Sequence, residues 1–107
     1  MINSVVVVGR AGQDPEMKYF ESGKVKTSFS IAINRWDSKV KDNVTDWFSV
    51  ELWDKVAEVA GEYVKKGKLV AVDGRLISNK WQDASGATKE KFIIRANNLR
   101  LLGGKND

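Results

Sequence analysis

Aromatic rings on the polar side of predicted strands are the feature of this sequence that best indicates its chemistry. The chain of 107 residues contains four tryptophans in such places: Trp36, Trp47, Trp53 and Trp81. An indole that faces water gains little from folding, but it offers a flat π surface on which another flat aromatic group can stack. The rings therefore predict a binding surface for flat partners.

The faces of the strands follow from alternation, because neighbouring side chains of a strand point to opposite sides. The odd positions from 25 to 33 are apolar apart from one threonine, so the pattern turns them inward and leaves Trp36 outside. In the stretch 47–53 the inward set is Phe48, Val50 and Leu52. Two tryptophans therefore lie outside, with Ser49 and Glu51 between them.

The fourth tryptophan lies at the end of the stretch 69–81, where the inward set is Val70, Val72 and Leu76. If the same alternation continues to the end of this stretch, Trp81 shares the outer face with Asp73, Arg75 and Asn79. The alternative is that the rings cap the ends of a core, since tryptophan is usually well buried. Alternation places all four on outer faces, which favours the binding surface.

Basic side chains lie mainly in the second half of the chain. The net charge is +4 and the pI is about 9.4. Residues 1–53 contain seven basic and seven acidic side chains, whereas residues 54–107 contain eleven and seven. The densest part of the excess consists of Lys65, Lys66, Lys68, Arg75 and Lys80. Such a run is commonly only a solvated face, but beside exposed rings it indicates a polyanion that contains bases.

The composition also excludes several classes of function. The chain has no cysteine, and hence no disulfide or thiolate metal site, and no histidine, the commonest general base. We therefore expect no catalytic residues, no metal and no cofactor. The longest apolar run, 5–8, is too short to span a bilayer, and no leader peptide precedes it. These features predict a soluble, intracellular protein.

Turn residues divide the chain into strands around one helix. The predicted strands are 2–8, a short one at 17–20, 24–36, 47–53, 68–78 and 89–102. The first is almost wholly apolar, which is typical of a strand covered on both faces. The polar segment 37–46 is predicted to be a loop or hairpin tip, and 83–88 a turn.

The helix is predicted to begin after Asp54, as its N-cap, and to end at Gly67. Its apolar face consists of Val56, Val59, Ala60, Tyr63 and Val64. Lys65 and Lys66 follow at the carboxyl end, where the helix dipole favours cations. This order of elements predicts an all-β fold with one helix, the five-stranded Greek-key barrel of the oligonucleotide-binding (OB) fold, with the helix between strands 3 and 4. We assign residues 1–102 to this domain and 103–107 to a short flexible C-terminus.

Three segments resemble bacterial-type single-stranded-DNA-binding proteins. Residues 9–16 (GRAGQDPE) are similar to the opening motif of that family. Residues 45–67 are similar to its third strand and helix, and residues 80–86 (KWQDASG) to the tip of its long loop between the fourth and fifth strands. The resemblance extends over nearly the whole chain and is highly specific.

The resemblance assigns expected roles to individual residues. Trp36, Trp47 and Trp81 match base-stacking positions, and Trp53 stands where the family keeps a large aromatic residue. Positions that contact the phosphate backbone, or neighbour one that does, are matched by Lys39, Lys55, Lys65, Lys66 and Lys80. Arg10 and Lys18 are further basic candidates. No base-specific contact is implied, so the resemblance predicts binding of single-stranded DNA without sequence preference.

The resemblance also implies partners and location. It implies a homotetramer, although Phe48 replaces a histidine of well-known relatives near the subunit contact. Replication and repair proteins are possible partners, but the chain ends at Asp107 without the acidic tail that recruits them in the family. The expected role is to coat and protect DNA during replication, repair and recombination. The expected location is the cytoplasm, at the nucleoid, or an organelle for a processed chain.

Three other functions remain as alternatives. A primosome-type or RNA-binding accessory barrel would use the same stacking, because only 2′-hydroxyl contacts distinguish RNA from DNA. A carbohydrate-binding module also exposes aromatic platforms, but it does not need a lysine beside each ring. An enzyme would have to use carboxylates such as Glu51 and Asp73 as acid and base, with no histidine or cysteine to assist them.

Overall fold

The computed structural model describes residues 1–103 and is mostly β-strand. In chain order its elements are β1 (Val5–Ala11), β2 (Glu16–Tyr19), β3 (Val25–Asp37), β4 (Asp42–Trp53), α1 (Asp54–Tyr63), β5 (Leu69–Gln82) and β6 (Thr88–Leu101). Within the described residues, no helix is long and apolar enough to cross a membrane. The predicted flexible C-terminus lies, beyond Gly103, outside the described residues.

Five of the strands close into a barrel. The order of neighbours is β1, β5, β6, β4, β3, and β1 closes the circle by pairing with β3 through Arg10 opposite Ala32 and Ala11 opposite Ile31. All these pairs are antiparallel except β4 with β6, which run parallel. The short β2 adds a sixth strand beside β3. Among the five barrel strands the helix lies between the third and the fourth, so the OB-fold prediction is confirmed.

The barrel interior is filled by the side chains that alternation turned inward. Val25, Thr27, Phe29 and Ile31 are buried, as are Val50, Leu52, Val70 and Val72. Thr27, the one polar residue of this set in β3, donates its hydroxyl to the carbonyl of Ala57 over 2.6 Å. That hydrogen bond satisfies a buried polar group and attaches the helix to the sheet.

Two long hairpins extend beyond the barrel, and their strands are longer than the sequence predicted. The segment 37–46, predicted as a loop or hairpin tip, continues β3 and β4 as a hairpin, and only residues 38–41 lie outside the strands. Polar cross-strand contacts stabilise this extension: Thr45 donates to the Asn34 side chain over 2.7 Å. The expected burial of Phe48 and Leu76 was wrong: both are 41% exposed, although they pair with the buried Ile31 and Ile94.

The prediction that the first strand is covered on both faces was also wrong for the single chain. β1 begins at Val5 and continues to Ala11, past its predicted end. Val5 and Val7 pack against the core, whereas Val6 and Val8 are 70% and 50% exposed. Alternation therefore applies to this strand although its sequence is apolar throughout.

The helix differs from its prediction at both ends. Asp54 is its first residue, at a φ of 58°, whereas Trp53 is the N-cap residue and its side chain makes no capping hydrogen bond to the helix. The helix ends at Tyr63, so Lys65 and Lys66 lie beyond its last turn and not within it. Gly67, at a φ of 87°, belongs to the turn that leads into β5.

Candidate nucleic-acid interface

A groove runs along the outer face of β3 and β4. Its volume is about 420 Å³, and its lining includes side chains from both strands and from β6. The lining residues are Gln13, Glu16, Lys26, Ser28, Phe29, Ser30, Ser49, Val50, Glu51, Lys91 and Ile93. Ser49 and Glu51 are among them, so the groove lies between Trp47 and Trp53, where alternation placed a serine and a carboxylate.

The Trp47 indole lies at one end of the groove and is 59% exposed. Ala32 pairs with Trp47 on one side and with Arg10 on the other, so the three side chains form a row across three strands. The ring packs against Gly12, where a Cβ atom would meet the indole. A glycine at this position allows the segment after β1 to approach the ring closely.

The Trp36 indole lies near the tip of the β3–β4 hairpin and is 62% exposed. The Asp37 carboxylate accepts hydrogen bonds from the backbone N–H groups of Lys39, over 2.8 Å, and Val40, which fixes the turn after the ring. The Lys39 hydrogen bond is the main reason that the pKa of Asp37 is lowered. The hydrogen bond from Arg35 to Asp46, over 2.6 Å, raises the pKa of the arginine and joins the two strands.

The Trp81 indole lies near the tip of the β5–β6 hairpin, opposite Lys89, and is 45% exposed. Asp83 organises the tip by accepting hydrogen bonds from the Ser85 hydroxyl and from two backbone N–H groups. The contact with Ser85 is the main cause of the lowered pKa of Asp83. Lys80 pairs with Glu90 across the hairpin, with 3.6 Å between Nζ and Oε2.

The parallel pairing of β4 with β6 relates the two hairpins. Each of these strands runs from a hairpin tip into the barrel. Since they run in the same direction, both tips leave the barrel at the same end. Trp36 and Trp81, distant in sequence, are therefore at one end of the molecule, and the groove beside Trp47 leads towards it.

Trp53 differs from the other three tryptophans because it is half-buried. Its ring stacks on Phe20, with 5.6 Å between centroids and 23° between planes. The cations of Lys26 and Arg95 each lie 5.9 Å from its centroid. Lys18 lies 5.1 Å from the Phe20 ring, which connects this basic candidate to the same aromatic cluster.

Two of the predicted lysines are held beside the end of β1. Asp14 accepts a hydrogen bond from the backbone N–H of Lys66 over 2.8 Å, and Arg10 donates to the carbonyl of Gly67 over 3.0 Å. These contacts attach the turn that contains Lys65 and Lys66 to the segment that packs on Trp47. Lys55 is not part of this arrangement, since it lines a separate cleft between α1 and β6.

Sequence reasoning missed two basic residues of the groove, Lys26 and Lys91. Lys26 shares the outer face of β3 with Trp36, so alternation had already placed it there. Lys91 lies on β6, whose residues 93–95 pair in parallel with residues 49–51 of β4. No sequence signal relates β6 to β4, because the pairing depends on closure of the barrel.

A closed barrel with a groove on these strands defines a class of protein. Oligonucleotide-binding folds use the face of their second and third barrel strands, here β3 and β4, together with the loops after the first and fourth. The model of the Single-strand binding protein family matches residues 2–102. The chain therefore belongs to the single-strand binding protein family. Membership of a family of binding proteins confirms that the chain is not an enzyme.

Relatives are similar along almost the whole chain. Single-stranded DNA-binding protein 1 of Synechocystis sp. is 54% identical over 107 residues, which are 99% of this chain and 88% of the relative. The single-stranded DNA-binding protein of Thermosynechococcus vestitus is 43% identical over 99% of this chain and 87% of its own. That of Neisseria meningitidis serogroup B is 38% identical over 109 residues, 99% of this chain and 63% of its own.

Proposed function

We propose that this protein binds single-stranded DNA without sequence recognition, and so protects it during replication, repair and recombination. The observation that supports this most directly is the exposure of three indoles along one groove and two hairpins that end on the same side of the barrel. The names of the relatives, single-stranded DNA-binding proteins, agree with it.

Base stacking on the indoles provides the preference for single strands. A duplex hides the faces of its bases within the stack, whereas a single strand presents them. Stacking contributes about 1–3 kcal/mol per base, and every base has such a face. We assign this role to Trp36, Trp47 and Trp81. Trp53 is proposed to contact the DNA only at the end of the groove opposite Trp47.

Basic side chains bind the phosphates. Within residues 1–103, the amino groups of Lys39, Lys65 and Lys66 form no ion pair. We assign phosphate contacts to them and to Lys26 and Lys91 in the groove. Additional phosphate contacts are proposed for Lys80, Arg10, Lys18 and, at the edge of the path, Lys55. Lys80 would have to leave Glu90, so we expect it to contribute less.

A titration with poly(dT) at two salt concentrations tests the proposed function. We expect deep quenching of tryptophan fluorescence, because bases stack on exposed indoles, and a midpoint that weakens as salt rises. The logarithm of the binding constant should fall by about 0.7 per phosphate contact for each unit of log salt concentration. Unchanged emission, or binding that does not respond to salt, would contradict the proposal. Duplex DNA of equal length is the control, and we expect it to bind weakly.

An RNA-binding role makes a different prediction in the same assay. Stacking does not depend on the sugar, so an RNA-binding protein should bind poly(rU) at least as well as poly(dU). We expect tighter binding to the DNA.

Self-association is the second part of the proposal, with a homotetramer as the expected assembly. Within residues 1–103, residues 5–8 of β1 pair only with β5, so the other edge of this segment is open. Val6 and Val8 are exposed beside that open edge, as is Ile2 at 95%. An open apolar edge strand favours pairing with another copy. A protein with this function acts where DNA is, so we place it at the nucleoid, or in an organelle for a processed chain.

Val6→Asp tests self-association. A carboxylate in an apolar interface cannot be solvated, so we expect the variant to elute as a smaller species than the unmodified protein. Size-exclusion chromatography with light scattering measures the mass. Val40→Asp is the matched control, because Val40 is 60% exposed at the β3–β4 turn and should leave the mass unchanged. A monomeric unmodified protein would contradict this part of the proposal and leave DNA binding untouched.

A further inference from the structure

Two carboxylates, Glu16 and Glu51, line the groove, and Glu51 is the one on β4 between Trp47 and Trp53. Glu51 is only 7% exposed, and its side chain is part of the groove lining. One of its oxygens, Oε1, accepts hydrogen bonds from the Trp53 indole N–H over 3.2 Å and from Nε of Arg95 over 2.6 Å. These two donors hold the carboxylate in a fixed position.

The other oxygen, Oε2, has no hydrogen-bond donor within the described part of the chain. In that same part, no buried side-chain oxygen or nitrogen lacks a partner, so Oε2 must be accessible to solvent. The solvent beside Glu51 is that of the groove. Glu51 therefore presents a fixed, negatively charged acceptor to whatever enters the groove.

A nucleic-acid strand in this groove would pass directly over the carboxylate. Glu51 is two residues from Trp53 and four from Trp47 on the same face of β4, about 7 Å and 13 Å along the strand. A base stacked on either ring, or between them, can bring its hydrogen-bonding edge towards Oε2.

The bases differ in what they offer to such an acceptor. Cytosine and adenine have an exocyclic amine that donates, and carboxylates accept from N4 of cytosine. Thymine and uracil have the acceptor O4 at the corresponding position, and their one ring donor, N3–H, lies between two carbonyl oxygens that a carboxylate repels. We propose that Glu51 makes the groove favour bases with an exocyclic amine, cytosine foremost, over thymine and uracil. The proposal rests on the proposed function and adds a graded preference to it.

Neither the rings nor the cations of the groove would produce this preference. Stacking on indole tolerates every base. Lys26 and Lys91 can neutralise phosphates, which are the same in every nucleotide. Among the described residues the groove lining holds one other carboxylate, Glu16, which is exposed on β2, whereas Glu51 is fixed on β4 between the two groove tryptophans. A difference between bases that disappears in Glu51→Gln can therefore be assigned to Glu51.

Binding of oligo(dC) and oligo(dU) of equal length tests the inference. Cytosine and uracil differ in the N4 amine against O4, and the comparison avoids the methyl group of thymine. At pH 7.5 and fixed salt, fluorescence anisotropy should show that the protein binds oligo(dC) about fivefold more tightly, the low end of what one base contact contributes. In Glu51→Gln the ratio should fall to about one, because an amide can either accept from cytosine or donate to uracil.

Arg95→Gln is the matched control, because it breaks the same ion pair and keeps the carboxylate. If Glu51 only supports the structure, the two variants should behave alike, with both ligands weakened equally. If Glu51 interacts with bases, Arg95→Gln should keep or increase the preference for oligo(dC). A ratio that is the same in the unmodified protein and Glu51→Gln, or a preference for oligo(dU), would overturn the inference. Failure to bind either ligand would instead overturn the proposed function, and the inference with it.

Discussion

Replacement of Trp36, Trp47 or Trp81 by alanine, one ring at a time, should weaken binding to oligo(dT) by about 5- to 150-fold in each variant. This range corresponds to 1–3 kcal/mol of stacking free energy per base. We expect Trp47→Ala to have the largest single effect, because this ring lies at the groove and beside Arg10. Anisotropy of a labelled oligonucleotide measures the affinity without relying on the tryptophans that are removed.

Two controls separate binding from folding in this series. Tyr63→Ala removes an aromatic side chain that is 54% exposed on α1 and is not part of the groove lining, so it should leave the affinity unchanged. Thermal unfolding should change little in the Trp36 and Trp81 variants, because both rings are on projecting hairpins. A large loss of stability with unchanged affinity would show that the rings serve the fold and not the ligand.

Gly74→Ala should destabilise the protein by about 3 kcal/mol or more. A Cβ atom at this position would meet the carbonyl oxygen of Arg95 and the Cα atom of Ala96, and backbone atoms cannot move aside as a flexible side chain can. The glycine lies where the pairing of β5 with β6 shifts register, between Asp73 and Gly74. Thermal unfolding at fixed protein concentration should show a lower Tm, by about 4–8 °C per kcal/mol.

Gly86→Ala provides the comparison for this prediction. Gly86 has a φ of 84° at the β5–β6 tip, and a Cβ atom there would meet no other atom within 4 Å. Only the cost of the left-handed backbone remains, about 1 kcal/mol. Equal losses in the two variants would mean that the close contact at Gly74 relaxes without cost.

Short-range pattern was sufficient for most of the fold. Alternation placed Val25 to Ile31 inside and Trp36 outside, and the turn residues located the strands in the correct order. Expectation failed at two inward positions: Phe48 and Leu76 are 41% exposed, although each pairs with a buried residue, Ile31 or Ile94. Parity gives the side of a strand, and it does not give the length over which another layer covers that side.

The candidate site also has a part that the sequence predicted and a part that only the tertiary structure determines. The outward direction of the three exposed tryptophans follows from the sequence, because the direction of each ring depends only on its near neighbours along one strand. The groove does not, since Lys91 and Arg95 reach it through the parallel contact of β6 with β4, more than 40 residues apart in the chain. The partial burial of Trp53 against Phe20 likewise depends on a contact between residues that are distant in the chain.

Local chemistry in the chain thus determines the strands, their faces and the presence of stacking rings beside cations. Closure of the barrel determines which faces adjoin, why Glu51 is buried with one oxygen towards the groove, and why both hairpins leave at one end. The reason is physical: side-chain direction depends on neighbouring residues, whereas a cavity and its electrostatics depend on groups that meet only when distant strands pair.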